Sequence, residues 1–323
     1  MRIFVTEFIV GGGLANHPLP EGLKQEGLMM LQALLSDCAC IDDVELQTSL
    51  DFRVKLNLEG VETMTIQADD SYMQLVKQVA SDCDYTWIIA PESEGVLEQM
   101  ITELGDENLK LINSDASSVR ICSDKLICSQ YMRDADIATI PILDADELEY
   151  YQGSVIAKKR YGAGCEGLRI FDSGIDAKSY AQDVHQWIVQ PYYEGQHKSL
   201  SVLCSNGDAR VLSCNQQILS QDDQPILEAC LVNQAEVTEY NEGLAVAVAK
   251  CFPGLKAYVG IDFVEVNGKA YVVEINPRLS TSYVGLRKVL HQNPAKLCID
   301  TVMKNLMPKN VERNKDLIEV SLG

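Results

Sequence analysis

The 323-residue sequence predicts an α/β segment built on a parallel sheet, followed by an α+β segment in which antiparallel strands dominate. Three observations predict it. Strand-like and helix-like stretches alternate up to about residue 112, the order of βαβ units. Beyond Ser114 strands follow one another, and two pairs are joined by Asn206-Gly207 and Asn267-Gly268, the dipeptide that favours a tight type I′ reversal. No segment repeats another, and no low-complexity linker divides the chain.

Taken in order, residues 3–10 are β-rich, and residues 21–36 place Leu23, Leu28, Met30, Leu31, Leu34 and Leu35 mostly at helical spacing. Residues 72–80 repeat that pattern, 85–90 read as a buried strand, 96–104 as a helix and 109–112 as a strand. In open parallel sheets ligands gather beyond the carboxyl ends of the strands, which makes the loops at 6–13 and 91–95 substrate-side candidates. A helix is expected at 116–133, then strands at 155–159, 168–171 and 188–190. The two Asn-Gly hairpins span 199–212 and 258–275. Helical patterns return at 238–251 and 294–306, ahead of a polar tail.

Composition excludes several classes. With 27 Lys and Arg against 47 Asp and Glu, the formal charge of −20 repels nucleic acid and an anionic membrane surface. The eleven cysteines contain no CxxC pair and read as reduced thiols, and four scattered histidines do not suggest a zinc site. The opening MRIFVTEFIVGGG reads as a first strand rather than a leader, and no apolar run approaches the ~18 residues of a membrane span. A cytoplasmic, soluble protein is the expectation.

The strongest chemical signal is GIDFVEVNGKAYVVEINPR. A turn at Asn267-Gly268 brings Asp262 roughly opposite or diagonal to Glu274, and Glu274 shares a face with Asn276. Three oxygen donors there form an incomplete cage suited to magnesium held jointly with nucleotide phosphates; an acidic face meeting solvent is the plainer reading. Flanking Val272, Val273 and Ile275 suggest a buried strand, where unpaired carboxylates are costly. Arg278, just past that strand, can reach an anionic oxygen bidentately or pair with a carboxylate. Ser280 and Ser282 can bond the same anion or cap a helix.

In VIAKKRYGAGCEGLRIF, Gly162, Gly164 and Gly167 allow backbone N–H groups to close on phosphate, with Lys158 as a point charge. The glycines are followed neither by GK[ST] nor by a helix, so this is neither a P-loop nor a dinucleotide fingerprint. In IVQPYYEGQH, an extended hinge can offer backbone groups to an adenine edge beside Gln190, Pro191, Tyr192 and Tyr193, or simply connect two subdomains. His197 follows, as a ribose contact or as a surface histidine.

Lys125 in SDK, Lys158 before a glycine loop, QPYYEG, Asp262 and EINPR together resemble the ATP-grasp superfamily across residues 114–308. The resemblance implies an ATP-grasp fold preceded by a small Rossmann-like parallel-sheet domain. Its implied bounds are 1–112 for that domain, 113–190 for a small lid subdomain with the glycine loop, 191–308 for a subdomain with the metal site, and 309–323 for the tail. It implies Lys125 and Lys158 on ATP phosphates, 190–193 on adenine and His197 near ribose. Asp262, Glu274 and Asn276 would hold magnesium, with manganese as an alternative, and Arg278 would face the moving phosphoryl group. Gln190 stands where many members have glutamate, and His197 where many have an acid. The implied reaction activates a carboxylate as an acyl phosphate for attack by an amine.

Further stretches, TEFIVGGG, EGLMMLQALLSD, APESEGVLEQM and NSDASSVRICSDK, resemble the tyramine–L-glutamate ligase family. That resemblance implies L-glutamate as the acid and tyramine or tyrosine as the amine, in biosynthesis of a methanofuran-type cofactor. Glu7 and Glu92 are candidates for an ammonium, or ordinary strand-end carboxylates. Other amino acid or peptide ligases of the same architecture, and a non-catalytic nucleotide-binding regulator, stay open, as does a homo-oligomer.

Overall fold

A computed structural model describes residues 1–162, 164, 167–183 and 185–322; Ala163, Cys165 and Glu166 of the glycine loop, with Val184 and Gly323, lie outside the described residues. The first unit comprises β1 (Arg2–Glu7), α1 (Glu21–Ala39), β2 (Glu45–Asp51), β3 (Val61–Ile66), α2 (Tyr72–Ser81), β4 (Tyr85–Ile89) and α3 (Val96–Asp106). Its four strands are parallel in the order β3-β2-β1-β4. Central β1 is buried on both faces, as parallel strands are. Ile3 and Val5 meet α1, while Phe4 turns to α2 and α3, following the two-residue period.

Three expectations change here. The strand expected over 3–10 stops at Glu7, where the chain enters one π-helical turn, Ile9–Gly13. Residues 109–112 form only a single bridge, Thr86 with Leu111. Strand β2 and edge strand β3 are not expected from the sequence, because Thr, Ser, Gln and Glu interrupt their apolar pattern.

Next come α4 (Ala116–Ser123) and α5 (Lys125–Asp134), where the sequence suggested one helix. Asp124 breaks it: its backbone is extended and its carboxylate caps Leu126 N and Ile127 N at 3.1 and 3.2 Å. The small subdomain holds α6 (Ala145–Tyr150), β5 (Val155–Lys159), β6 (Arg169–Phe171), α7 (Gly174–Tyr180) and β7 (Trp187–Pro191), its antiparallel sheet ordered β6-β5-β7.

The large sheet follows, from β8 (Gln196–Ser205), β9 (Asp208–Leu219), β10 (Leu227–Ala235), β11 (Ala257–Val266), β12 (Lys269–Asn276) and β13 (Ile318–Ser321). Helix α8 (Glu239–Cys251) precedes β11, and α9 (Tyr283–Val289) and α10 (Pro294–Lys304) precede β13. Strands run antiparallel in the order β12-β11-β8-β9-β10-β13. Both Asn-Gly pairs turn with positive φ at each residue, as a type I′ reversal requires.

Helices α4, α5 and α8 cover one face of the large sheet. So α4 and α5, expected with the glycine-loop subdomain, pack instead on the large one. The segment expected as a polar tail, 309–323, supplies edge strand β13. On the other face α9 and α10 share a core with α1, which joins the first unit to the large sheet. Among the described residues no helix is long and apolar enough to cross a membrane, and ten cysteines are free.

Gly285 lets α9 approach β10: a Cβ there would sit 2.8 Å from Val232 Cγ2 and 2.9 Å from its Cβ, a β-branched side chain that cannot swing aside. Gly243, exposed within α8, has open space around that position. Gly285→Ala should therefore lose about 1–3 kcal/mol through overpacking, while Gly243→Ala should gain up to about 1 kcal/mol from helix propensity. Urea unfolding of both variants checks the opposed signs.

Candidate active site

The site begins with the register of one hairpin. A two-residue turn at Asn267-Gly268 pairs Val266 with Lys269 and, four residues on each way, would pair Asp262 with Val273. Glu274 would then face the opposite side of the sheet. The ladder instead shifts between Phe263, opposite Val272, and Asp262, opposite Glu274, leaving Val273 as the extra residue of a bulge. That one residue puts both carboxylates on one face. Asn276, opposite Gly260, shares it and donates from Nδ2 to Asp262 Oδ2 at 3.1 Å.

Burial, then the charge of Glu274, pushes the Asp262 carboxyl up to about 7; hydrogen bonds from Gln217 and Asn276 act against this. On the other side, Lys125 Nζ meets Glu274 Oε1 at 3.0 Å and donates to the carbonyl oxygen of Gly162. Lys125 is held there because Asp124, its cap, takes the Arg160 fork at 2.7 and 2.6 Å and the Tyr161 hydroxyl at 3.0 Å. Burial alone would raise the Asp124 carboxyl, but Arg160, Ile127 N–H and Tyr161 hold it below the usual range. The loop base is thereby tied to α5.

Two half-buried carboxylates facing each other, with an amide beside them, are hard oxygen donors and so fit a divalent cation such as magnesium. Among the described residues no three His, Cys, Asp or Glu side chains gather for a metal. The protein set thus has two charged donors, which leaves positions for phosphate oxygens.

These residues line one cavity of about 900 Å³, near the upper end of the ~300–1,000 Å³ of small-molecule sites. Lys158 enters it from β5, Gly164 from the glycine loop, and Gln190 to Tyr193 from the hinge. Gly164 and Gly167 have φ of 58° and 68°, a conformation that favours glycine. Gln190 Nε2 donates to Ile140 O at 2.7 Å, while its buried Oε1 has no hydrogen-bond partner among the described residues. Tyr193 stands edge-on to Tyr271, ring centres 5.0 Å apart. His197, opposite Val264 on β8, also lines the cavity; burial and then the charge of Lys158 lower its basicity.

Arg278 closes the far end. Its Nε donates to Glu92 Oε2 at 2.8 Å and its Nη1 to Leu279 O at 2.8 Å. Glu92 therefore sits on the arginine, not beside an empty loop. Glu7 lies deeper, its Oε2 accepting from Val10 N at 2.7 Å within the π-helical turn; burial pushes its carboxyl up to about 7. Ser282 is the N-cap of α9 but makes no side-chain capping bond, and Ser280 lies ahead of that position. They meet each other at 3.0 Å and the Tyr258 hydroxyl at 2.8 and 2.9 Å, and Ser282 also meets Ser201 at 3.1 Å.

Sequence reasoning missed Glu26 of α1, which lines the cavity and accepts from Thr281 Oγ1 at 2.6 Å. It also missed Asp124 and Gln217. Only Asp124 carried a local signal, as an acid one residue before a helix.

Comparison with known proteins agrees with this layout. Residues 44–119 match the pre ATP-grasp 3 domain, and residues 122–282 match the ATP-grasp domain. Tyramine–L-glutamate ligases of Methanocaldococcus fervens and Methanocaldococcus jannaschii are 25% and 23% identical over 288 residues, 88% of this chain and 89% and 84% of theirs. An ATP-grasp superfamily protein of Archaeoglobus fulgidus superimposes with a TM-score of 0.69 at 19% identity, over 97% of this chain and 91% of that one. Pre-grasp sheet, glycine-loop subdomain and the carboxylate hairpin follow one another in that order, and the chain is an ATP-grasp ligase that resembles the tyramine–L-glutamate ligases.

Proposed function

We propose that this ligase joins L-glutamate to tyramine or tyrosine with ATP, through a glutamyl phosphate, within biosynthesis of a methanofuran-type cofactor. The observation that carries the ligase chemistry is the convergence of Asp262, Glu274, Asn276, Lys158 and Arg278 on one cavity. The tyramine–L-glutamate relatives support the choice of substrates.

The orphaned carbonyl of Gln190 suits the exocyclic amino group of adenine, which would meet the hinge. Lys158, with the backbone of the glycine loop, would hold the phosphates, and Lys125 would fix Glu274 in place. Magnesium held by Asp262, Glu274 and Asn276 would neutralise phosphoryl oxygens as charge builds on them. The carboxylate oxygen of glutamate attacks the γ-phosphorus, the bond to the bridging oxygen breaks, and ADP leaves. Arg278 stabilises the transferred group. The amine then attacks the acyl carbon, phosphate departs with the bonding pair, and the amine gives up a proton.

Purified protein with ATP, magnesium, L-glutamate and either amine should release ADP only when both acid and amine are present, and mass spectrometry should show a glutamyl amide. Nucleotide binding without turnover would favour a regulator, and turnover with other amino acids a different ligase. Glu274→Gln should lower turnover at least about 10³-fold with an unchanged fold, as loss of one metal charge at the transferred group implies; retained activity would remove Glu274 from the metal set.

A pH dependence follows from the two carboxyls held near 7, Asp262 and Glu7. Because folding raises them, their share of stability is present below the unfolded carboxylate range and is lost as pH rises through about 7. Magnesium needs ionised Asp262, so its affinity with nucleotide should fall about tenfold from pH 8 to pH 6. Calorimetry at both pH values, with Asp262→Asn as control, checks this; equal affinities would contradict it.

A further inference from the structure

Both substrates of the proposed reaction carry an amino group, and an ammonium needs acceptors that the lysines and Arg278 of the site cannot supply. Glu26 has no role in phosphoryl transfer. It projects from α1 into the cavity that holds Arg278 and Glu274, and one of its oxygens takes the Thr281 hydroxyl at 2.6 Å. Its place is fixed from behind. Asp37, further along α1, accepts from the Tyr283 hydroxyl at 3.0 Å, and its carbonyl from Asn293 Nδ2 at 2.7 Å, which locks α1 to the start of α9 and α10.

Glu26 could be only a latch between the two units. A neutral amide would latch Thr281 as well, without adding charge to a half-buried corner already holding Glu7 and Glu92. Arg278 feels both Glu92 and Glu26, and one guanidinium cannot balance two carboxylates. Glu92, spent on Arg278 through Oε2, keeps a buried Oε1 with no hydrogen-bond partner among the described residues. Glu7, Glu26 and Glu92 thus share one guanidinium, and of the three Glu26 lines the cavity. A primary ammonium there supplies positive charge and N–H donors to Glu26.

Resting on the ligase reading above, we infer that Glu26, which lines the cavity beside Arg278, holds the primary ammonium group of a substrate and makes the site selective for amino compounds. Glu26 is then a specificity residue supplied by α1 of the first unit.

Calorimetric titration of the Mg-ADP complex with L-glutamate against glutarate, and with tyramine against 4-ethylphenol, tests this on wild type, Glu26→Gln and Glu26→Asp. The wild type should bind one amino probe at least tenfold tighter than its desamino partner. Glu26→Gln should shrink that preference to within threefold, and Glu26→Asp should restore part of it, with Mg-ADP affinity unchanged. The affected pair identifies the donor's α-ammonium or the acceptor amine as the group held. A preference left intact in Glu26→Gln, or absent from the wild type, overturns the inference. If the wild type still forms the glutamyl amide, the ligase reading survives that failure; if it neither forms product nor binds any probe, both fall.

Discussion

Everything the site does depends on one extra residue in β12. Val273 is that residue, and it turns a regular hairpin, in which Asp262 and Glu274 would lie on opposite faces, into one where they confront each other. Like charges face to face are unfavourable unless a cation or proton joins them. Burial and the charge of Glu274 push the Asp262 carboxyl up to about 7. Lys125 meets Glu274 from one side, and a divalent cation between the two carboxylates would offset the repulsion that remains.

Other elements converge on that hairpin. The α4–α5 break at Asp124 places Lys125 against Glu274, and the same Asp124 clamps Arg160 and Tyr161 at the base of the glycine loop. The small subdomain can therefore shift only by working against a contact that ends on the carboxylates. From the other side, the first unit reaches the site through Glu92 on Arg278 and Glu26 on Thr281. Each unit contributes a charged residue to one cavity, and a shared core joins the first unit to the large sheet behind it.

Much of this was legible in the sequence, for identifiable reasons. The Asn-Gly pairs announced both hairpins because positive φ at two successive residues has few other solutions. The alternation of apolar runs located β1, α1, α2, β4 and α3 to within a few residues. Register was less legible: hairpin parity places Val273 opposite Asp262, and nothing local announces a bulge. Strands β2 and β3 were hidden by polar residues that interrupt their apolar pattern, and β13 by its short length. Glu26 was invisible because its relevance arises from Thr281, 255 residues away in sequence. The helix break at Asp124 is legible in principle, since an acid before a helix is a recognised cap, but the continuous apolar pattern on either side masks it.

The most direct test of the carboxylate pair is a crystal structure with manganese and a non-hydrolysable ATP analogue, located by the anomalous signal of the metal. The account predicts a manganese peak within coordination distance of Asp262, Glu274 and Asn276, with phosphate oxygens completing the shell. A metal bound by phosphates alone, away from β11 and β12, would contradict it.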